Sequence, residues 1–417
     1  MHALRPATPR AQPPGFGEFV ALVAAMMSTQ ALAVDAMLPA LPTIVRELGV
    51  ANANHGQWVV TAYIAGVGLG QLLWGLVSDR VGRRPVLLCG LALYVLASVS
   101  CALSANFIAL LGWRLIHGLA AASVVVSRSV IRDLYSGRRL ARVMSLTFMV
   151  FLIVPILAPS LGQLILLVAP WRDVFVVFGV YGAAIALWAY LRLPETLHPE
   201  YRLTLTVPHI VRAVRLVLGE RASLCYSLAI AIMFGSLLSY VGMVQQIFAD
   251  VFRRPGWMPA VFALCALSMG AAAYMNSRIV ERLGMRAVSH TALLLFIGVS
   301  ALHALIATFG LEGLASFVLL QSATMACFAL TASNFGAMAM EPVGAVAGIG
   351  ASLQGFITTL GGALLGAAIG RLFNATTVPL AAGALCSGLA SLLFALLAER
   401  GRLFRPQHPL PAGPGTL

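Results

Sequence analysis

Residues 75–84 read Gly75-Leu76-Val77-Ser78-Asp79-Arg80-Val81-Gly82-Arg83-Arg84, and 202 residues later the chain reads Glu281-Arg282-Leu283-Gly284-Met285-Arg286. Both stretches carry the order acid, Arg, aliphatic, Gly, any residue, Arg. Each lies between two long apolar segments. The offset is about half of the 417 residues, so the chain reads as two similar halves. Matched loops in matched halves imply parallel repeats related by an axis along the membrane normal, enclosing a central cavity that opens to either side by rocking.

Outward from these loops the sequence is mostly apolar. Segments fall near 18–42, 57–78, 86–104, 106–130, 143–169, 173–192, 222–245, 258–277, 287–308, 312–334, 345–370 and 376–398. Most are about the 20 residues that a helix needs to cross a bilayer. The expectation is an all-α integral membrane protein of twelve transmembrane helices in two pseudo-symmetric halves. A cytoplasmic tail covers 1–17, six helices span 18–192, a polar cytoplasmic loop covers 193–221, six helices span 222–398, and a second cytoplasmic tail covers 399–417.

Composition agrees. Sixty per cent of residues are apolar and 10% charged, with a mean hydropathy of +0.92, where a soluble domain carries roughly a quarter charged residues. The formal charge of +13 comes from 27 arginines with no lysine. With the N-terminus in the cytoplasm, 20 arginines fall on the cytoplasmic side, 5 on the other, and Arg114 and Arg128 inside one span. That bias is the positive-inside signature, so the basicity reports topology rather than nucleic-acid binding. The six cysteines sit in apolar runs without metal-ligand spacing and read as small buried hydrophobes. The first apolar run is too long for a signal-peptide core and reads as an uncleaved helix.

Of fourteen acidic residues, Asp35 alone lies well inside a span. A carboxylate at the bilayer centre costs ~2.5–3.5 kcal/mol on insertion scales and usually marks function. A carboxyl so placed can load and release a proton within a transport cycle; the alternative is an acid held by a neighbouring helix or wetted at the interface. Pro39 removes the helical partner of the Asp35 carbonyl, and Pro42 does the same for Leu38. Freed carbonyls in a span are tolerated where they face protein or a watery cavity. Ser28, Ala31, Leu32, Asp35, Pro39 and Pro42 share one small, partly polar face, while Gln30 lies off it.

Arg114, Gly118, Ala121, Val125, Arg128 and Arg132 form a stripe on the fourth span, with Arg114 and Arg128 ~21 Å apart along a continuous helix. Arg114 requires a carboxylate or carbonyls, and Asp35 is the natural candidate. Arg128 either lines a cavity or snorkels to the surface. His117, one turn from Arg114, either titrates or is simply hydrogen-bonded. In the 75–84 loop, Gly75 and Gly82 permit a tight turn. Asp79 with Arg80, Arg83 and Arg84 can form a cytoplasmic ion-pair latch, for which Asp133 is a partner. Pro155, Pro159 and Gly162 mark a bent fifth helix, and the glycines of the eleventh suit close, sliding packing. Tyr63, Asn334 and Gln354 are further candidates for lining a substrate cavity. There is no Gly-rich phosphate loop ending in Lys, no metal constellation and no nucleophile–base–acid set, so an enzyme is not expected. The energy source is then a gradient.

These residues resemble the major facilitator superfamily over nearly the whole chain. The 75–84 loop looks like its signature between helices 2 and 3, and Arg114 with Gly118 resembles the helix 4 motif of its proton-driven antiporters. Asp35-Ala36-Met37-Leu38-Pro39-Ala40-Leu41-Pro42 and Arg132-Asp133 look like the twelve-helix drug:proton antiporters of the bicyclomycin- and chloramphenicol-resistance type. The resemblance implies proton coupling at Asp35 under the influence of Arg114, with no cofactor beyond the proton gradient. Two departures stand out. The helix 5 stretch 155–163 lacks the leading glycines of the antiporter motif, and Met26-Met27-Ser28 occupies the place where some relatives carry a second acid. The expected function is export of a small amphipathic compound by a monomer in the inner membrane, both termini cytoplasmic, with lipid as its surroundings. Uptake of a nutrient or chelate on the same fold, or a transport-inactive sensor, are the alternatives.

Overall fold

The computed structural model describes residues 14–135, 137–197 and 207–404. The side chains of 53, 132, 138–142, 144–145, 148–153, 155–156, 207, 209–210, 345 and 347 are outside that description. So are most of the expected tails and residues 198–206 of the expected central loop.

The described elements are helical and contain no strand. In order they are α1 (Phe16–Asp35), α2 (Leu41–Glu47), α3 (Trp58–Val81), α4 (Arg83–Ala102), α5 (Phe107–Leu119), α6 (Ala122–Leu134), α7 (Gly137–Val168) and α8 (Arg172–Arg192), then α9 (Val207–Gly219), α10 (Arg221–Gln246), α11 (Met258–Leu283), α12 (Met285–Thr308), α13 (Leu314–Met340), α14 (Ala347–Gly370) and α15 (Val378–Ala398). Among the described residues, eleven helical segments are long and apolar enough to cross a membrane, and Leu157–Val168 within α7 is a shorter apolar stretch. Large apolar side chains such as Ile108, Leu164, Val168, Val180 and Leu319 are exposed. A helix whose outer face is apolar has lipid as its natural solvent.

Two expectations need correction. The first span is not one helix to residue 42: α1 stops at Asp35, a 3₁₀ turn covers Leu38–Ala40, and α2 begins at Leu41. Pro39 and Pro42 sit in the first turns of those two elements, where a missing N–H costs nothing. The fourth span is broken as well. Ala121 (φ −71°, ψ 44°) leaves helical geometry between α5 and α6, so the 114–132 stripe is not a single helix face. The stretch 193–221 contains α9, an amphipathic helix with Arg212 and Arg215 exposed beside buried Ala213 and Val217.

The chain divides into two compact units, Met1–Ile210 and Val211–Leu417. In the first, α3 packs on α5, α4 on α5 and α8, and α1 on α6, α7 and α8. In the second, α11 packs on α13, α12 on α13 and α15, and α10 on α13, α14 and α15. Six pairings in one unit therefore recur in the other, in the order the loop repeat requires. Gly82 (φ +121°) and Gly284 (φ +81°) occupy equivalent places, each ending one helix and starting the next. Only glycine adopts such angles without steric cost.

Close approach is sharpest where α3 crosses α5. A Cβ on Gly66 would overlap the Leu115 carbonyl, and one on Gly118 would overlap the Tyr63 carbonyl. Small residues let membrane helices approach backbone to backbone. Gly118→Ala should therefore destabilise the folded protein by about 1–3 kcal/mol, the usual range for overpacking. Gly112→Ala on the same helix, where a Cβ meets open space, should be neutral or stabilising by up to about 1 kcal/mol. Thermal unfolding in detergent distinguishes the two signs.

Candidate functional site

The site is built on the broken end of α1. Asp35 is the last residue of that helix and is 6% exposed. Its carboxylate makes no hydrogen bond or ion pair among the described residues. Upstream, α1 is tied down by polar side chains: Thr29 Oγ1 lies 2.9 Å from Ser123 Oγ, and Ser28 Oγ lies 2.6 Å from the Tyr181 hydroxyl. Downstream, Gly162 on α7 has no room for a Cβ because the Ala36 carbonyl fills that space. The residues on both sides of Asp35 are thus fixed while its own carboxyl is left without a partner.

Arg114 on α5 is completely buried. It does not pair with Asp35. Its Nη2 donates to the Ala33 carbonyl at 3.1 Å, its Nε to the Val59 carbonyl at 3.0 Å, and its Nη1 to His117 Nδ1 at 3.2 Å. The guanidinium also lies over the rings of Tyr63, at 4.4 Å, and Phe175, at 5.7 Å. The physical reason is the helix end. Ala33 lies in the last turn of α1, where carbonyls lose their intrahelical partners, and a cation at a helix C-terminus is favoured by the helix dipole. Of the two kinds of acceptor expected for Arg114, the carbonyls are the ones it meets.

A guanidinium has only donors, so His117 Nδ1 must accept and its hydrogen resides on Nε2. That nitrogen lies 3.0 Å from Ser98 Oγ, and Ser98 in turn donates to the Tyr94 carbonyl at 2.8 Å. The Tyr94 hydroxyl donates to the Thr29 carbonyl at 3.3 Å. His117 thus holds Arg114 in place. Tyr63 is fully buried, with a hydroxyl that has no partner among the described residues.

At the α3–α4 turn, Arg83 carries the latch. It donates to Asp79, to Asp133 Oδ2 at 3.0 Å and to Ser78 Oγ at 2.9 Å. Glu195 accepts the backbone N–H groups of Arg83 and Arg84, at 2.8 and 3.2 Å, capping the start of α4. Thr196 donates to Asp133 at 3.1 Å. Arg84 instead donates to the Tyr190 carbonyl at 2.6 Å, and Arg80 is exposed. In the second unit Arg286 donates to Glu399 at 2.7 Å and approaches Glu341 at 3.9 Å.

The remaining candidates are scattered. Gln30 is half-buried and Arg128 exposed. Asn334 donates to Asn276 Oδ1 at 2.8 Å, and Gln354 to the Gly336 carbonyl at 3.2 Å. Pro159 is buried in a continuous α7, and the side chain of Pro155 lies outside the described residues. Gly75 accepts the Ser78 hydroxyl through its carbonyl. Sequence reading missed Ser98, Tyr94, Asn276 and the capping role of Glu195. Each is a common polar residue at a helix flank or interface, with no local pattern to single it out.

The sequence pattern of the Major Facilitator Superfamily matches residues 19–366, and the chain belongs to that superfamily of membrane transporters. YdgK of Bacillus subtilis (strain 168), an uncharacterized MFS-type transporter, is 32% identical over 361 residues, covering 84% of this chain and 88% of its own. The bicyclomycin resistance protein homolog of Haemophilus influenzae is 31% identical over 265 residues, 62% of this chain and 66% of that one. The multidrug resistance protein MdtL of Escherichia coli O81 is 37% identical over 166 residues, 39% and 42% of the two chains. Among solved structures, the human organic anion transporter MFSD10 aligns with a TM-score of 0.68 at 22% identity over 93% of this chain and 100% of its own. A peptide transporter POT in complex with sulfate aligns at 0.72 and 15% identity over 94% and 97%. At such identities these structures speak for the fold.

Among the described residues Arg83 joins two carboxylates, whereas Arg80 joins none. Arg83→Gln should lower the thermal midpoint clearly, and Arg80→Gln should leave it within error. Equal effects of the two substitutions would remove Arg83 from the centre of this junction.

Proposed function

We propose that the protein exports small amphipathic compounds in exchange for protons, by alternating access between two six-helix halves. The observation that carries this reading is the buried Asp35 carboxyl, left without a fixed partner at a helix break. A buried ionisable group in a span is a functional-site hypothesis by default. Because Arg114 is engaged by the Ala33 and Val59 carbonyls, Asp35 is free to take up a proton or to meet a cationic substrate. Arg114 acts on it through the end of α1, as a positioning residue.

In this cycle protonation of Asp35 from the outside competes with substrate, and proton release to the cytoplasm resets the carrier. The Asp79–Arg83–Asp133 junction holds the cytoplasmic ends of α3, α4 and α6 together during the rocking of the halves. The relatives named for bicyclomycin and multidrug resistance favour a drug-like substrate over a nutrient. The arginine distribution supports an inner-membrane location with both termini cytoplasmic. The proton gradient is the energy source and no other cofactor is required.

Asp35→Asn keeps the size and much of the hydrogen-bonding capacity of the side chain but cannot carry the proton. In inside-out vesicles with an imposed pH gradient, the wild type should accumulate a fluorescent amphipathic drug and release protons as it does so. The Asn variant should lose gradient-driven accumulation and drug-dependent proton movement while still reaching the membrane. Full coupled efflux by the variant, or wild-type transport only in the opposite direction, would refute the reading.

A further inference from the structure

At the end of the second unit that carries the Gly284 turn lies a cavity of about 940 Å³. Its walls are the start of α10, Arg286 after the turn, the end of α13 and the chain that follows α15. Four arginines line it, Arg221, Arg286, Arg400 and Arg402, together with Glu220, Glu341 and Glu399.

These charges fall into two groups. Arg286 and Glu399 are paired at 2.7 Å, Glu399 also accepts the Tyr226 hydroxyl at 2.6 Å, and Glu341 sits 3.9 Å from Arg286. The members of that group are already engaged. Among the described residues Arg221 reaches the Ala398 carbonyl alone, at 3.4 Å. The side chains of Arg400, Arg402 and Glu220 make no hydrogen bond or ion pair among the described residues. The open group has three cations against one anion, and the whole lining, four arginines against three glutamates, has a net charge of +1.

Two backbone features add to this. The 26-residue helix α10 begins in the cavity wall, and its N-cap residue Glu220 supplies no side-chain cap, so its first N–H groups point outward from the positive end of the dipole. After α15 the chain turns through Arg400 (φ +54°) and Gly401 (φ +75°), fixed by Gly401 N–H to the Leu396 carbonyl at 2.8 Å and Arg402 N–H to the Glu399 carbonyl at 3.1 Å. A left-handed non-glycine residue is uncommon, and here it returns Arg400 and Arg402 to the cavity. The walls are the ends of helices long and apolar enough to cross a membrane, where lipid headgroups would meet them.

We propose that this cavity binds a phosphate group, carried by an anionic phospholipid headgroup or by a soluble phosphate compound. A phosphate monoester carries up to about two negative charges and a phospholipid diester one, and both present acceptor oxygens that the open guanidiniums bind in bidentate fashion. Asp35 and Arg114 belong to the other unit, so the inference does not rest on the transport reading.

The test uses the full-length protein in two settings. In phosphatidylcholine nanodiscs the fraction of phosphatidylglycerol is titrated, and in detergent inorganic pyrophosphate is titrated, with the thermal midpoint read in both. At least one probe should raise the midpoint. A response to phosphatidylglycerol alone assigns a lipid headgroup, a response to pyrophosphate alone a soluble compound, and a response to both the shared phosphate chemistry. The double variant R400Q/R402Q should weaken the response at least about tenfold, as expected for the loss of charge-assisted hydrogen bonds, and Arg402→Glu should abolish it. The variant R212Q/R215Q, on the exposed face of α9, should respond as wild type. The proposal is overturned if neither probe shifts the midpoint, if R400Q/R402Q responds as wild type, or if R212Q/R215Q loses as much as R400Q/R402Q.

Discussion

A guanidinium shut away from water must direct its donors at fixed acceptors, and the first unit is arranged around one such group. Arg114 binds the last turn of α1, the first turn of α3 and the imidazole of its own helix, between the rings of Tyr63 and Phe175. Each acceptor exists for a separate reason. The Ala33 carbonyl is available because the chain leaves the helix before the prolines. The Val59 carbonyl is within reach because Gly66 and Gly118 let α3 and α5 touch. His117 accepts because its other nitrogen faces Ser98. Removing any one of these would leave a buried donor without a partner, which costs about 1–3 kcal/mol or more when charge is involved.

The loop repeat shows how one device is built twice with different side chains. In the first unit the arginine directly after the glycine, Arg83, joins the acid at the end of α6. In the second that position is Met285, and the next residue, Arg286, reaches Glu341 and Glu399. Glu195 lies three residues after α8 and Glu399 directly after α15, yet one caps a helix start and the other pairs with a side chain. The constant elements are the positive-φ glycine and the meeting of three helix ends. The chemistry that closes the junction has drifted around them.

That difference also explains what could be read from the sequence. Apolar lengths, the arginine bias and the repeated loop are properties of long windows, and they gave the helical segments, the loop pairing and the reading of Asp35 as an acid within an apolar span. Asp133 was readable as a partner because charges at neighbouring helix ends have few other options. The break at Ala121 carried no signal, since alanine is the best helix former; it follows from packing, with the Trp74 indole taking the Leu119 carbonyl. The choice of Ala33 over Asp35 by Arg114 was equally hidden. It depends on which atoms of α1 face α5, and two breaks in separate spans decide that.

The separation of Arg114 from Asp35 bears on how the proposed cycle would run. Opposite charges at about 4 Å attract by ~4 kcal/mol at an effective dielectric constant of about 20. A locked pair would have to be broken whenever a proton or a cationic substrate took the carboxylate, and the barrier would be felt in every turnover. Carbonyl dipoles hold the cation without consuming the acid. They also couple the two, since any movement of the end of α1 shifts Ala33 and Asp35 together. Arg114 can then sense the position of α1, while Asp35 retains the freedom to exchange its charge, and Gly162 against Ala36 gives α7 a direct hold on the same hinge.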